Sequence, residues 1–114
     1  MSTEHRRAPR YPVRLSAELR MQSGVVTGMT RNLSSGGVCL KIDRPLGEGA
    51  AVQLKLFIVE DDVEAEGARG LELSGTVQWT AEADDGYTVG LQFQNLSPQQ
   101  KTAIENAIRN VEAQ

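Results

Sequence analysis

Alternation with a period of two dominates this chain and limits it to a sheet whose strands each bury one face. Val13, Leu15, Ala17, Leu19 and Met21 alternate with Arg14, Ser16, Glu18 and Arg20, the pattern of a half-buried strand. Gly24 marks a turn, and Val25 to Leu33 reads as a weaker strand interrupted at Gly28. Val38, Leu40 and Ile42 alternate with Cys39, Lys41 and Asp43. After a Pro45–Gly49 loop, Val52, Leu54, Leu56 and Ile58 resume the pattern. Glu60 to Gly70 is acidic and glycine-punctuated and reads as a solvated hairpin loop. Leu71, Leu73, Gly75, Val77 and Trp79 form a fifth strand, Asp84-Asp85-Gly86 turns the chain, and Tyr87, Val89, Leu91 and Phe93 form a sixth.

The period then changes. Ser97-Pro98-Gln99-Gln100 combines a capping serine, a proline suited to the first helical position and a glutamine three residues after the cap. Ile104, Ala107, Ile108 and Val111 follow on one helical stripe, which predicts a helix over about 97–112. Six short antiparallel strands and a terminal helix predict an all-β fold, a small closed or nearly closed barrel. The helix either covers one opening or offers its stripe to a second copy, so the expected state is a monomer or weak homodimer. At 114 residues the chain fits one domain. That domain divides into a flexible arginine-rich arm over 1–12 and a barrel with its helix over 13–114.

Charge is distributed unevenly. The net charge is −3, yet residues 1–20 hold five arginines (Arg6, Arg7, Arg10, Arg14 and Arg20) against Glu4 and Glu18. The remainder is acidic, and aromatic residues make up only 4%, which argues against a nucleic-acid-binding barrel with a base-stacking surface. One cysteine, Cys39, makes no internal disulfide, and together with the single histidine, His5, it builds no typical zinc site. No nucleophile–base pair or Walker-type phosphate loop is evident, so the chain is not expected to be an enzyme. No signal peptide or membrane-length apolar run is visible, which makes a cytoplasmic location the expectation.

Two segments break the alternation. Arg6-Arg7-Ala8-Pro9-Arg10 precedes the first strand, where Pro9 and Pro12 disfavour helix and extend the arm. Asn32-Leu33-Ser34-Ser35-Gly36-Gly37 lies between the second and third strands and is built from turn formers. In this order they resemble the two motifs of the PilZ family, Arg-x-x-x-Arg and Asp/Asn-x-Ser-x-x-Gly. Gly75-Thr76-Val77-Gln78-Trp79 and Tyr87-Thr88-Val89-Gly90-Leu91-Gln92-Phe93, followed by Leu96-Ser97, resemble the family's late strands and the start of its helix. The resemblance covers nearly the whole chain.

It implies a six-stranded antiparallel PilZ-type barrel with a C-terminal helix. It also implies a receptor or adaptor that binds cyclic di-GMP and relays the second-messenger level to a protein effector, with motility or surface polysaccharide as outputs. The alternative is a module of the same fold that binds a protein and no nucleotide. Cyclic di-GMP presents two phosphates and two guanines, and a guanidinium can pair with either through parallel hydrogen bonds or stack on a base. Arg6 and Arg10 match the motif arginines, and Arg7 lies between them. Asn32 is expected at a guanine edge and Ser34 at a base or phosphate. Gly36 and Gly37 are expected to let the turn sit close under the ligand, Gly37 occupying the motif position. Asn32 stands where the family also uses aspartate, and its neutral oxygen accepts less strongly than a carboxylate. His5 precedes the first motif arginine, where an arginine favours a stacked pair of ligands, so one or two molecules remain open. Trp79 is expected in the core or at the rim, with stacking on the ligand as its second role. Cys39 is expected to be a quiet small side chain.

Overall fold

The computed structural model describes residues 10–59 and 68–112. Six strands, β1 (Ser16–Met21), β2 (Gly24–Leu33), β3 (Gly37–Ile42), β4 (Ala51–Val59), β5 (Ala68–Ala83) and β6 (Gly86–Gln94), precede one helix, α1 (Pro98–Glu112). The strands close a barrel in the order β1-β2-β3-β6-β5-β4, with every neighbouring pair antiparallel. Closure removes free sheet edges, which a small six-stranded sheet would otherwise expose.

The alternating positions point inward as their period demands. Leu19, Leu40, Leu54, Leu56, Leu73 and Val89 are among the fully buried side chains, and they form one apolar cluster. Burial of such side chains stabilises the fold by about 1.5–3 kcal/mol each before entropy is counted. The helix adds Ile104, Ala107 and Ile108 to the same cluster. Its start is held by a reciprocal cap: Gln100 N–H donates to Ser97 Oγ at 3.1 Å, and Ser97 N–H donates to Gln100 Oε1 at 2.7 Å. The Gln100 side-chain amide also donates to the Glu72 carbonyl at 2.8 Å, which ties α1 to β5.

Three strand boundaries, and the place of the irregularity in β2, differ from the sequence expectation. β1 starts at Ser16 rather than Val13, although Val13 is still buried, because residues 11–15 take a separate path described below. Gly28 does not interrupt β2; a Cβ there would strike the Lys41 carbonyl, so glycine lets β3 lie close. The irregularity in β2 falls instead between Thr30 and Asn32. β5 begins at Ala68, inside the expected acidic loop, and runs past Trp79 to Ala83 because its backbone pairs with β4 and then β6. Residues 60–67 of that loop lie outside the described residues.

Both turns beside β6 need unusual backbone. Gly86 has φ +145° in the Asp84-Asp85-Gly86 turn, and Asn95 has φ 51° between β6 and α1. These are conformations that glycine and asparagine tolerate best. Lys41 pairs with Asp85, joining β3 to the β5–β6 turn. The hydrogen bond from Lys41 holds the Asp85 carboxyl below the usual carboxylate range.

Candidate functional site

Two β-bulges build the site. In β2, Thr30 pairs with Leu40 and Asn32 pairs with Cys39, so Arg31 is the extra residue. Val26, Thr30 and Leu33 are all buried, and their spacing shows the side-chain phase inverting at Arg31. Without the inversion Asn32 would point into the barrel; with it, Asn32 faces outward. In β5, Val77 pairs with Leu91 and Trp79 with Gly90, so Gln78 is the extra residue. Val77 is buried while Trp79 is 39% exposed. The indole is therefore turned out of the core, where strict alternation would have placed it.

The registers set these residues in one row. Asn32 lies opposite Cys39, Cys39 opposite Gly90, and Gly90 opposite Trp79. The row crosses β2, β3, β6 and β5 on the outer face. Its two middle positions are small: Cys39 is buried, and Gly90 lies beneath the Trp79 indole. On one side Arg10 Nη1 donates to Asn32 Oδ1 at 2.8 Å. This bond engages the Asn32 amide oxygen. On the other side the Trp79 indole lies against Gly90, where a Cβ would collide with the ring. Burial pushes the Cys39 thiol up from its ordinary pKa, and the nearby Arg10 and Arg31 guanidiniums draw it part-way back.

The Ser34–Gly37 turn closes one end. Ser34 N–H donates to the Gly37 carbonyl at 2.9 Å. The Ser34 hydroxyl accepts from the Gly36 and Gly37 N–H groups at 3.2 Å each. This buried hydroxyl is thus engaged within its own turn. Gly37 is buried against β6, where a Cβ would strike the Leu91 carbonyl. Strand packing is therefore what demands glycine there. A Cβ on Gly36 would meet open space, and its carbonyl accepts from Phe93 N–H at 2.9 Å, anchoring the turn to β6.

Arg10, Ser34, Gly36, Gly37, Trp79 and Gly90 line one cavity of about 410 Å³, together with Gln78, Leu91 and Gln92. Gln78 Nε2 donates to Gln92 Oε1 at 3.2 Å, so a fixed amide pair belongs to the wall. The sequence reading missed this pair and Gly90. Only the strand registers bring them to the site, and the extra residue Gln78 leaves no periodic signal. Four of the expected site residues, Arg10, Ser34, Gly36 and Gly37, line this cavity with Trp79, and Asn32 is tied to it through its hydrogen bond with Arg10. His5, Arg6 and Arg7 lie outside the described residues. A larger, more open depression of about 650 Å³ lies around Ser16 and Gly28, between Met29, Phe57 and the Lys41–Asp85 pair. It contains none of the motif residues, and its surface offers less enclosure than the smaller cleft.

The family model for the PilZ domain matches residues 4–110. The chain belongs to the PilZ domain family. No curated protein matches it. Among solved structures, the fold is similar to the Bacillus subtilis inhibitor of motility MotI/DgrA, with a TM-score of 0.78 and 15% identity over 97% of this chain and 52% of that one. It is similar to the PilZ domain of YcgR from Escherichia coli, solved with c-di-GMP, with a TM-score of 0.72 and 15% identity over 94% of this chain and 91% of that domain. It is also similar to the MrkH–c-di-GMP complex of K. pneumonia, with a TM-score of 0.68 and 19% identity over 94% and 52%. This PilZ chain thus spans about half the length of MotI/DgrA and MrkH. Among the described residues no helix is long and apolar enough to cross a membrane, and no three metal-ligating side chains cluster.

Proposed function

We propose that this PilZ chain is a cytoplasmic receptor for cyclic di-GMP that passes the signal to a protein effector and catalyses no reaction. The observation that carries the reading is the cleft itself: the Arg10 guanidinium, held on Asn32, and the partly exposed Trp79 indole line one cavity with the Ser34–Gly37 turn. A planar base fits such a cleft, stacking on Trp79 or beneath the Arg10 guanidinium. The NH2 of Asn32 suits guanine O6 or N7. Arg10 meets a phosphate, and Arg6 and Arg7 supply further charge from the preceding segment. The Ser34–Gly37 turn contributes shape, and the Gln78–Gln92 pair offers neutral donors and acceptors at the wall. Two of the similar structures, YcgR and MrkH, contain c-di-GMP, which supports the choice of ligand.

The testing experiment is a calorimetric titration of the purified protein with cyclic di-GMP, with GTP and cyclic di-AMP as controls. Saturable, selective binding is the expected result, and its stoichiometry decides between one molecule and the stacked pair. Folded protein that binds no cyclic di-GMP overturns the receptor reading in favour of a protein-interaction module.

A further inference from the structure

Arg10 is exposed, on a segment outside the regular ladder, and its place beside Asn32 needs a cause. The segment behind it is irregular for a defined reason. Tyr11 makes an isolated bridge to Leu33, each N–H donating to the other's carbonyl at 2.9 Å. Pro12 then sits at the centre of a three-residue turn, closed by Val13 N–H donating to the Tyr11 carbonyl at 2.8 Å. The φ that proline enforces is the one this turn requires. After the turn, neither Val13 nor Leu15 completes an ordinary backbone ladder with β2. Thr30 takes their place: its hydroxyl donates to the Val13 carbonyl and accepts from Leu15 N–H at 2.7 Å, while its own N–H donates to the Leu15 carbonyl at 2.8 Å.

Thr30 is 1% exposed, and it and Ser34 are the buried polar side chains among the described residues. A buried hydroxyl is costly unless its hydrogen bonds are made. Here the donor and an acceptor site are both used on one strap of backbone, so the hydroxyl acts as a rung inserted between that strap and β2. Thr30 also immediately precedes the bulge residue Arg31. One residue therefore holds the strap while the next turns Asn32 outward to meet the arginine at the strap's end.

We infer that Thr30 is the positioning residue for Arg10. Its hydroxyl holds residues 13–15 so that the Tyr11 bridge forms and the guanidinium reaches Asn32. Thr30 touches no ligand; it acts through Arg10. The assignment rests on the receptor reading for its binding test and on backbone geometry alone for its exchange test.

Thr30→Val keeps the shape and removes the hydroxyl, and Thr30→Ser keeps the hydroxyl. Cyclic di-GMP titrations under conditions where circular dichroism shows each variant folded are expected to find Thr30→Val about tenfold weaker than wild type, the loss of one well-oriented contact. Thr30→Ser is expected within about threefold of wild type. In an Arg10→Ala background the Thr30→Val effect is expected to vanish, a coupling that a merely structural threonine would not show. Equal affinities for Thr30→Val and wild type, a loss in Thr30→Ser as large as in valine, or an undiminished effect without Arg10 would each overturn the assignment.

Amide hydrogen exchange in ligand-free protein supplies the second arm. Thr30→Val is expected to accelerate exchange at Tyr11 and Leu15 while the β3–β6 amides keep their rates; unchanged rates at Tyr11 and Leu15 overturn the assignment. If the valine variant does not fold, Thr30→Cys replaces it, since a thiol is only a weak donor and acceptor, and the same two amides decide. Absence of cyclic di-GMP binding by wild type would refute the receptor reading and leave the exchange result to judge Thr30.

Discussion

Adding one methyl group at Gly90 tests the shape of the cleft without touching any charged residue. Trp79 is the chain's single tryptophan, and its indole rests on Gly90. A Cβ at residue 90 would stand 2.9 Å from indole Cζ2 and closer still to Nε1 and Cε2. The ring must move. Wedging a side chain into a closed core costs about 1–3 kcal/mol. Here the ring is 39% exposed and can rotate toward solvent, so the Gly90→Ala cost falls at the low end, about 1 kcal/mol. That lowers Tm by about 5 °C in a domain of this size.

Binding should suffer more than stability. Stacking of a base on an aromatic side chain contributes about 1–3 kcal/mol, so displacing the platform should weaken cyclic di-GMP by about five- to 150-fold. Three readouts separate the links in this reasoning: tryptophan emission for the ring's position, thermal melting for the fold, and calorimetry for the ligand. The expected result is a red-shifted emission with a small Tm loss and a large affinity loss. Wild-type emission would refute the packing of Trp79 on Gly90. Shifted emission with wild-type affinity would refute Trp79 as a stacking surface.

Three further outcomes follow from the same geometry. Arg10→Ala should lower cyclic di-GMP affinity at least tenfold while changing unfolding free energy by less than about 0.5 kcal/mol, as for an ordinary surface substitution; a collapsed fold by circular dichroism would show that the arginine is structural. Gly37→Ala should instead act on the fold, costing about 2–3 kcal/mol in denaturant unfolding, because the new Cβ meets the Leu91 carbonyl, which belongs to the β6 backbone and cannot swing aside. Burial raises the Cys39 thiol pKa in the folded chain, so its contribution is fully present below the unfolded thiol value of about 8.5 and declines as pH rises above it toward the folded value. Denaturant titrations across that alkaline range should show a loss that Cys39→Ala lacks; identical pH profiles for the two proteins would refute the linkage.

The strands were legible in the sequence because burial of one face imposes a period of two, and the helix because capping and a 3.6-residue stripe change that period. The cleft was legible only in part, and the cause is the same at both walls. A bulge adds one residue and reverses every side chain after it. At β2 the sequence carries no trace of the reversal: Val25, Met29 and Leu33 share one parity, so Leu33 reads as in step, although the buried set is Val26, Thr30 and Leu33. At β5 there is no trace either. Trp79 follows Val77 at the spacing of a core residue, and an apolar ring is as acceptable inside the barrel as outside, so the alternation alone assigns it to the wrong face. Gly90 looks like a weak point in a strand until its neighbour across the ladder is known to be an indole, and Cys39 is merely small until it lies between Asn32 and Gly90. The two bulges flank β3 and β6 and turn Asn32 and Trp79 to the outer face of the barrel. A regular six-stranded barrel with these same residues would bury both, and Arg10 would have neither a partner on its own wall nor an aromatic surface opposite. The irregularities in the ladder are therefore what give a closed apolar barrel its proposed binding face.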